Sequence, residues 1–124
     1  MIFMSSTRAY MSEVNNEPYS ATKAALLGLS QSMAVSLATD GIRSNVILPG
    51  WINVSNECKE ADDSGQLWED GLTKNDHAWH LNGRVGKVED VLRAVDYLAN
   101  AEFATGSEIV VDGGVTRKMI YPED

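Results

Sequence analysis

Tyr19 and Lys23 stand four residues apart at the start of a well-signalled helix. That spacing puts a phenol and an ammonium on one helix face, aimed into the same space. Ser6 lies thirteen residues before Tyr19 and just past a short apolar run, so a strand end and a helix start can bring its hydroxyl to them. Side chains of these types move protons in general acid–base catalysis. Taken alone, the Tyr–Lys pair reads better as a solvated lysine beside a half-buried tyrosine. The placement of Ser6 is what makes the three a candidate site.

Other chemistry-bearing residues carry less. His77 and His80 are three apart with Asp76 beside them, but no second cluster supplies further metal ligands, and a polar lid segment is the better reading. Cys58 sits among Glu57, Lys59 and Glu60 with no histidine next to it, which reads as a bystander thiol. Asp112-Gly113-Gly114 reads as a structural turn at a strand end.

The elements that must position these residues follow from periodicity. Ile2 to Ser5 is a short apolar strand, and Thr7 to Asn16 is polar and irregular. Asn15-Asn16-Glu17-Pro18 supplies a capping amide, an early acid and an early proline, and predicts a helix running to about Ala38. Leu26, Leu29, Met33 and Leu37 recur at spacings of three and four, while Ala24, Ala25, Ala34 and Ala38 keep a second side small, so cover on two faces is expected. Asp40-Gly41 ends the helix, and Ile42 to Leu48 predicts a strand stopped by Pro49-Gly50. Trp51 to Gly83 is a long polar excursion that carries all three tryptophans and room for short helices. Including the turn that leads out of it, this substrate-loop segment covers 51–86. Glu89 to Ala101 predicts an amphipathic helix with Val91, Leu92, Val95, Leu98 and Ala99 on one face, and Ser107 to Asp112 predicts the last strand. The order β, α, β, long loop, α, β implies an α/β fold with three parallel strands and flanking helices.

A chain of 124 residues with 44% hydrophobic residues suits one domain, 1–124. Ten basic against eighteen acidic residues, a formal charge of −8, argue against nucleic acid as a partner. No apolar run is long enough for a membrane span, Met1 to Met4 is too short for a signal peptide, and the lone Cys58 fits a reducing compartment, so a cytoplasmic location is expected.

Five ordered motifs resemble those of the short-chain dehydrogenases/reductases. They are Ser5-Ser6; Tyr19-Ser20-Ala21-Thr22-Lys23-Ala24-Ala25; Ile42 to Ile52; Gly83 to Val91; and Thr105 to Gly114. The resemblance implies NAD(P)-dependent oxidoreductase chemistry, with hydride transfer between NAD or NADP and a small alcohol or carbonyl substrate. It implies that Tyr19 is the general acid/base, that Lys23 stabilises its phenolate and bonds the nicotinamide ribose, and that Ser6 holds the substrate oxygen. It further implies that Pro49, Gly50 and Ile52 form a turn whose backbone, at Ile52, bonds the nicotinamide carboxamide. Where the family often has a threonine two residues beyond that isoleucine, Val54 stands.

The family's glycine-rich phosphate turn has no counterpart here, since no Gly-x-Gly occurs. Nor does its Asn-Asn-Ala-Gly segment. The resemblance thus implies the C-terminal portion of a doubly wound Rossmann-type sheet, a partial catalytic domain without its adenosine-binding half. A homo-oligomer, or a partner chain covering the exposed sheet edge, is expected with it. The rival expectation is a non-enzymatic remnant or split-gene product that acts only with another chain.

Overall fold

The computed structural model describes residues 1–123. Strand β1, Ile2–Met4, leads through a 3-10 turn at Thr7–Ala9 to helix α1, Glu17–Ser36, and then to strand β2, Asn45–Pro49. The excursion holds helices α2, Lys59–Ser64, and α3, Lys74–Ala78; helix α4, Val88–Asn100, and strand β3, Glu108–Val111, follow. All three strands are parallel in the order β1-β2-β3, with Phe3 opposite Val46 and Ile47 opposite Ile109. The expected α/β arrangement is present.

β2 is the centre. Val46, Ile47 and Leu48 are at most 1% exposed, and Ile47 packs with Ala94 and Leu98 of α4. A continuous apolar run is what a strand covered on both faces requires. β2 begins at Asn45, three residues later than Ile42, because the residues before it are used elsewhere. The Arg43 guanidinium donates to the carbonyls of Leu98, Ala99 and Ala104 at 2.8, 3.2 and 3.1 Å, closing the C-terminal end of α4 where a cation is favoured. The Ser44 hydroxyl meets that of Ser30 on α1 at 3.1 Å. Buried Asn45 donates to the Ala104 carbonyl at 2.8 Å and accepts from the Ser107 amide at 3.0 Å, tying β2 to the start of β3.

The helices depart from expectation on their outer sides. α1 buries only Ser30 and Ala34; Ala24, Ala25, Leu29 and Ala38 are exposed, so this chain covers one face and not two. In α4 the buried residues are Ala94 and Leu98, whereas Leu92 is exposed. Asn16 stands at the N-cap of α1 without a side-chain capping bond, and its amide donates instead to the Ser20 hydroxyl at 3.2 Å. Among the described residues no helix is long and apolar enough to cross a membrane.

Candidate functional site

The end of β1 is pinned to α1 by a serine pair with divided tasks. The Ser5 amide donates to the Ile47 carbonyl at 2.8 Å, and its hydroxyl donates to the Lys23 carbonyl at 2.7 Å. The Ser6 hydroxyl accepts from the Arg8 amide at 3.1 Å, capping the 3-10 turn and leaving its own proton free to donate. The Lys23 Nζ donates to the Met4 carbonyl at 3.1 Å and lies 5.7 Å from the centre of the Tyr19 ring. Ser6, Tyr19 and Lys23 are therefore brought together as the spacing implied. The tie of Ser5 to the Lys23 backbone was not read from the sequence, though the Ser-Ser doublet carried the signal.

Two cavities meet at this cluster. The first, of about 540 Å³, takes in Met4, Lys23, Pro49 and the apolar face of α4 at Val91 and Val95. The second, of about 450 Å³, takes in Arg8, Met11, Glu13, Trp51 and Trp79. Ser6, Tyr19, Gly50 and Ile52 border both, and Lys23 borders the first alone. The Tyr19 hydroxyl engages no partner among the described residues. Tyr10 differs: its hydroxyl donates to Glu108, and that bond, with burial added, raises its pKa.

The turn after β2 owes its shape to two close approaches. A Cβ on Gly50 would lie 2.8 Å from the Asp112 Cβ and 3.0 Å from its Cα, so only glycine fits beside β3. Ile52 pairs with Gly86 through bonds made by its neighbours: Gly86 N–H donates to the Trp51 carbonyl and Asn53 N–H to the Gly86 carbonyl, both at 3.0 Å. Neither bond uses the amide or carbonyl of Ile52 itself, which stays available at the cavity. Val54 also lines the first cavity, with no hydroxyl to offer.

The excursion is held by its own polar bonds. The Arg84 guanidinium grips Asp90 with two bonds of 2.7 and 2.8 Å, while the Lys87 amide donates to the same carboxylate at 2.7 Å and starts α4. The Arg84 bonds first, and the Lys87 amide with them, hold the Asp90 carboxyl down at about 2 against the cost of burial. Burial raises the Asp112 carboxyl, but bonds from Thr116 and Gly114 outweigh it and leave it below the usual carboxylate range. His77 Nδ1 accepts from the Val85 amide at 3.2 Å, and His80 Nδ1–H donates to the Asp76 carbonyl at 3.0 Å. Among the described residues no group of three His, Cys, Asp or Glu side chains could hold a metal ion. Cys58 is a free, exposed thiol.

A family model described as enoyl-(acyl carrier protein) reductase matches residues 1–116. An uncharacterized oxidoreductase of Thermotoga maritima is 43% identical over 126 residues, 99% of this chain and 48% of the relative. The dehydrogenase/reductase SDR family member 4 of Bos taurus is 34% identical over 117 residues, 92% of this chain and 39% of the relative. The chain belongs to the short-chain dehydrogenase/reductase family. Among solved structures, the apo SCOR enzyme from Clostridium thermocellum superposes with a TM-score of 0.83 at 36% identity, over 99% of this chain and 44% of that one. ElxO with NADP bound gives a TM-score of 0.71 at 28% identity, over 94% of this chain and 46% of that one. The chain thus spans about half the length of the short-chain dehydrogenases/reductases it matches, and its three parallel strands with flanking helices are a portion of their Rossmann-type sheet.

Proposed function

We propose that this segment is the catalytic, substrate-side portion of an NAD(P)-dependent oxidoreductase that interconverts an alcohol and a carbonyl. One observation carries the reading: Tyr19 and Ser6 stand on the border of two cavities, only one of which contains Lys23. A reaction between a cofactor on one side and a substrate on the other needs its proton-transfer group on that border.

The first cavity suits the nicotinamide end of the cofactor. The uncommitted backbone of Ile52 would offer one donor and one acceptor to a carboxamide, and the ammonium of Lys23, now on the Met4 carbonyl, would hold a ribose hydroxyl. A nicotinamide bound there would supply or take the hydride. Ser6 donates its free proton to the substrate oxygen and steadies the charge that builds on it. Tyr19 gives its phenolic proton to that oxygen in reduction and takes it back in oxidation. Lys23 stabilises the phenolate left behind by its charge. The preference between NAD and NADP is not encoded in these residues. A small alcohol or carbonyl is the proposed substrate and the cytoplasm the proposed location.

The exposed sheet edge favours a companion. Among the described residues β1 pairs with β2 alone, so one side of its backbone faces outward. A second copy or another chain supplying a strand there is part of the proposal, and a segment that acts only in such a complex is the alternative to autonomous catalysis.

The test is an in-line fusion behind the first half of the Thermotoga maritima relative, assayed by NAD(P)H absorbance against a panel of alcohols and carbonyls. Turnover is expected, with Tyr19→Phe losing it by a factor of about 10³ or more while cofactor affinity holds. Lys23→Ala is expected to lower both rate and affinity. A Tyr19→Phe enzyme with unchanged kcat would overturn the assignment.

A further inference from the structure

The second cavity has walls that proton and hydride transfer do not require. Trp51 and Trp79 present half-exposed indoles, 40% and 38% accessible, and one buried imidazole braces both. The His80 ring centre lies 6.0 Å from that of Trp51 and 5.4 Å from that of Trp79, with its Nδ1–H fixed on the Asp76 carbonyl. His80 is seated in turn by the Asp112-Gly113-Gly114 turn. The Leu81 amide donates to the Gly113 carbonyl at 2.8 Å, and a Cβ on Gly113 would come within 3.1 Å of the His80 ring. The Lys118 ammonium adds a contact 5.2 Å above the Trp79 ring. Rings fixed in this way lose little freedom when a ligand arrives.

The charged part of the wall is an ion pair, Arg8 with Glu13, beside the hydroxyl residues Ser6, Thr7, Ser12 and Tyr19. A guanidinium has five N–H donors and a carboxylate several acceptor sites, so one bond between them leaves donors and acceptors side by side. An anionic ligand would meet the Glu13 carboxylate beside Arg8 and approach a chain of net charge −8. A purely alkyl ligand would desolvate the pair without replacing its bonds to water. Hydroxyl groups on a neutral ring both donate and accept, and the C–H faces of such a ring suit an indole.

Resting on the proposed hydride transfer for the location of the substrate, we infer that the substrate is a neutral polyhydroxylated ring, a sugar or cyclitol. Its C–H face lies on Trp51 and Trp79, and its hydroxyls bond Arg8 and Glu13. Arg8 and Glu13 then determine specificity, and His80 is a positioning residue.

Saturation-transfer NMR on the 124-residue chain, repeated on the fusion so that folding of the short chain does not limit the answer, tests this with four probes: D-glucose, myo-inositol, cyclohexanone and acetoacetate. The polyols are expected to receive saturation at their C–H protons. The exposed-site variants Arg8→Gln and Glu13→Gln are each expected to reduce it about fivefold. Stronger saturation of cyclohexanone or acetoacetate, or undiminished polyol signals in Arg8→Gln, would overturn the inference. Polyol binding without turnover by the fusion would count against the reaction and not the ligand class; turnover of cyclohexanone alone would count against the ligand class and not the reaction.

Discussion

Asp90 is engaged by two nitrogens of Arg84 and by the Lys87 amide, so one carboxylate closes a loop and starts a helix. Its folded value of about 2 lies below the ordinary 3.8, which sets the direction of the pH effect. The unfolded chain takes up a proton here first as pH falls, so the stabilising contribution is full above 3.8 and fades as pH drops towards about 2. Asp90→Asn is expected to cost about 1–2 kcal/mol at neutral pH, through the weakened cap and the stranded guanidinium. It should also flatten the acid limb between pH 4 and 2. Urea melts at pH 7, 4 and 2.5 check both; an equal loss at all three would place the contribution elsewhere. At this same scale the family motifs located Ser6, Tyr19 and Lys23, because their roles depend on residue type at fixed spacing. Ser5 and the pairing of Arg8 with Glu13 depend on how the chain turns after β1, which spacing does not express.

Among the elements, the contact between the turn after β2 and the end of β3 governs the first cavity. Gly50 lies against Asp112 with no room for a methyl group, and its amide donates to the Val111 carbonyl at 2.9 Å. Gly50→Ala is expected to destabilise the fold by about 1–3 kcal/mol, because the Asp112 Cβ and Cα rather than a flexible side-chain tip stand in the way. In the fusion it should also raise KM for the cofactor by displacing Ile52. Thermal melts and steady-state kinetics check the two effects, and an unchanged melting temperature would show that the turn yields without cost. The elements themselves were legible from period: α1, α4 and all three strands lie where the apolar patterns put them. The start of β2 was not, since Ile42 fits a strand pattern but Arg43 is drawn to the C-terminal end of α4 and Ser44 to Ser30 within α1.

For the whole molecule, unfinished surface is the governing feature. Among the described residues none pairs with the outward side of β1, and α1 leaves Leu29 and Val35 exposed at 46% and 76%. Such an edge and face favour association with other chains. Sedimentation of the 124-residue chain is expected to show oligomers, and a monodisperse monomer with a cooperative melt at high temperature would refute this. The same chain is expected to bind NADH or NADPH no tighter than about millimolar, because nicotinamide-side contacts must offset the whole ordering cost without a glycine-rich phosphate turn. Micromolar binding by calorimetry would contradict it.

The sequence by itself determined the family, the α/β order of elements and the identity of the Ser6, Tyr19 and Lys23 cluster, since apolar period and motif spacing are local properties that survive without coordinates. It also marked Trp51 to Gly83 as the segment that shapes a pocket. Only the tertiary structure decided that Tyr19 stands between two cavities, that Arg8 and Glu13 share the wall of one with Trp51 and Trp79, and that His80 braces both indoles. These relations join residues from separate elements. They come into being when β1, β2 and β3 align their C-terminal ends and the Gly113 turn closes on His80, a packing outcome that no single stretch of the chain encodes.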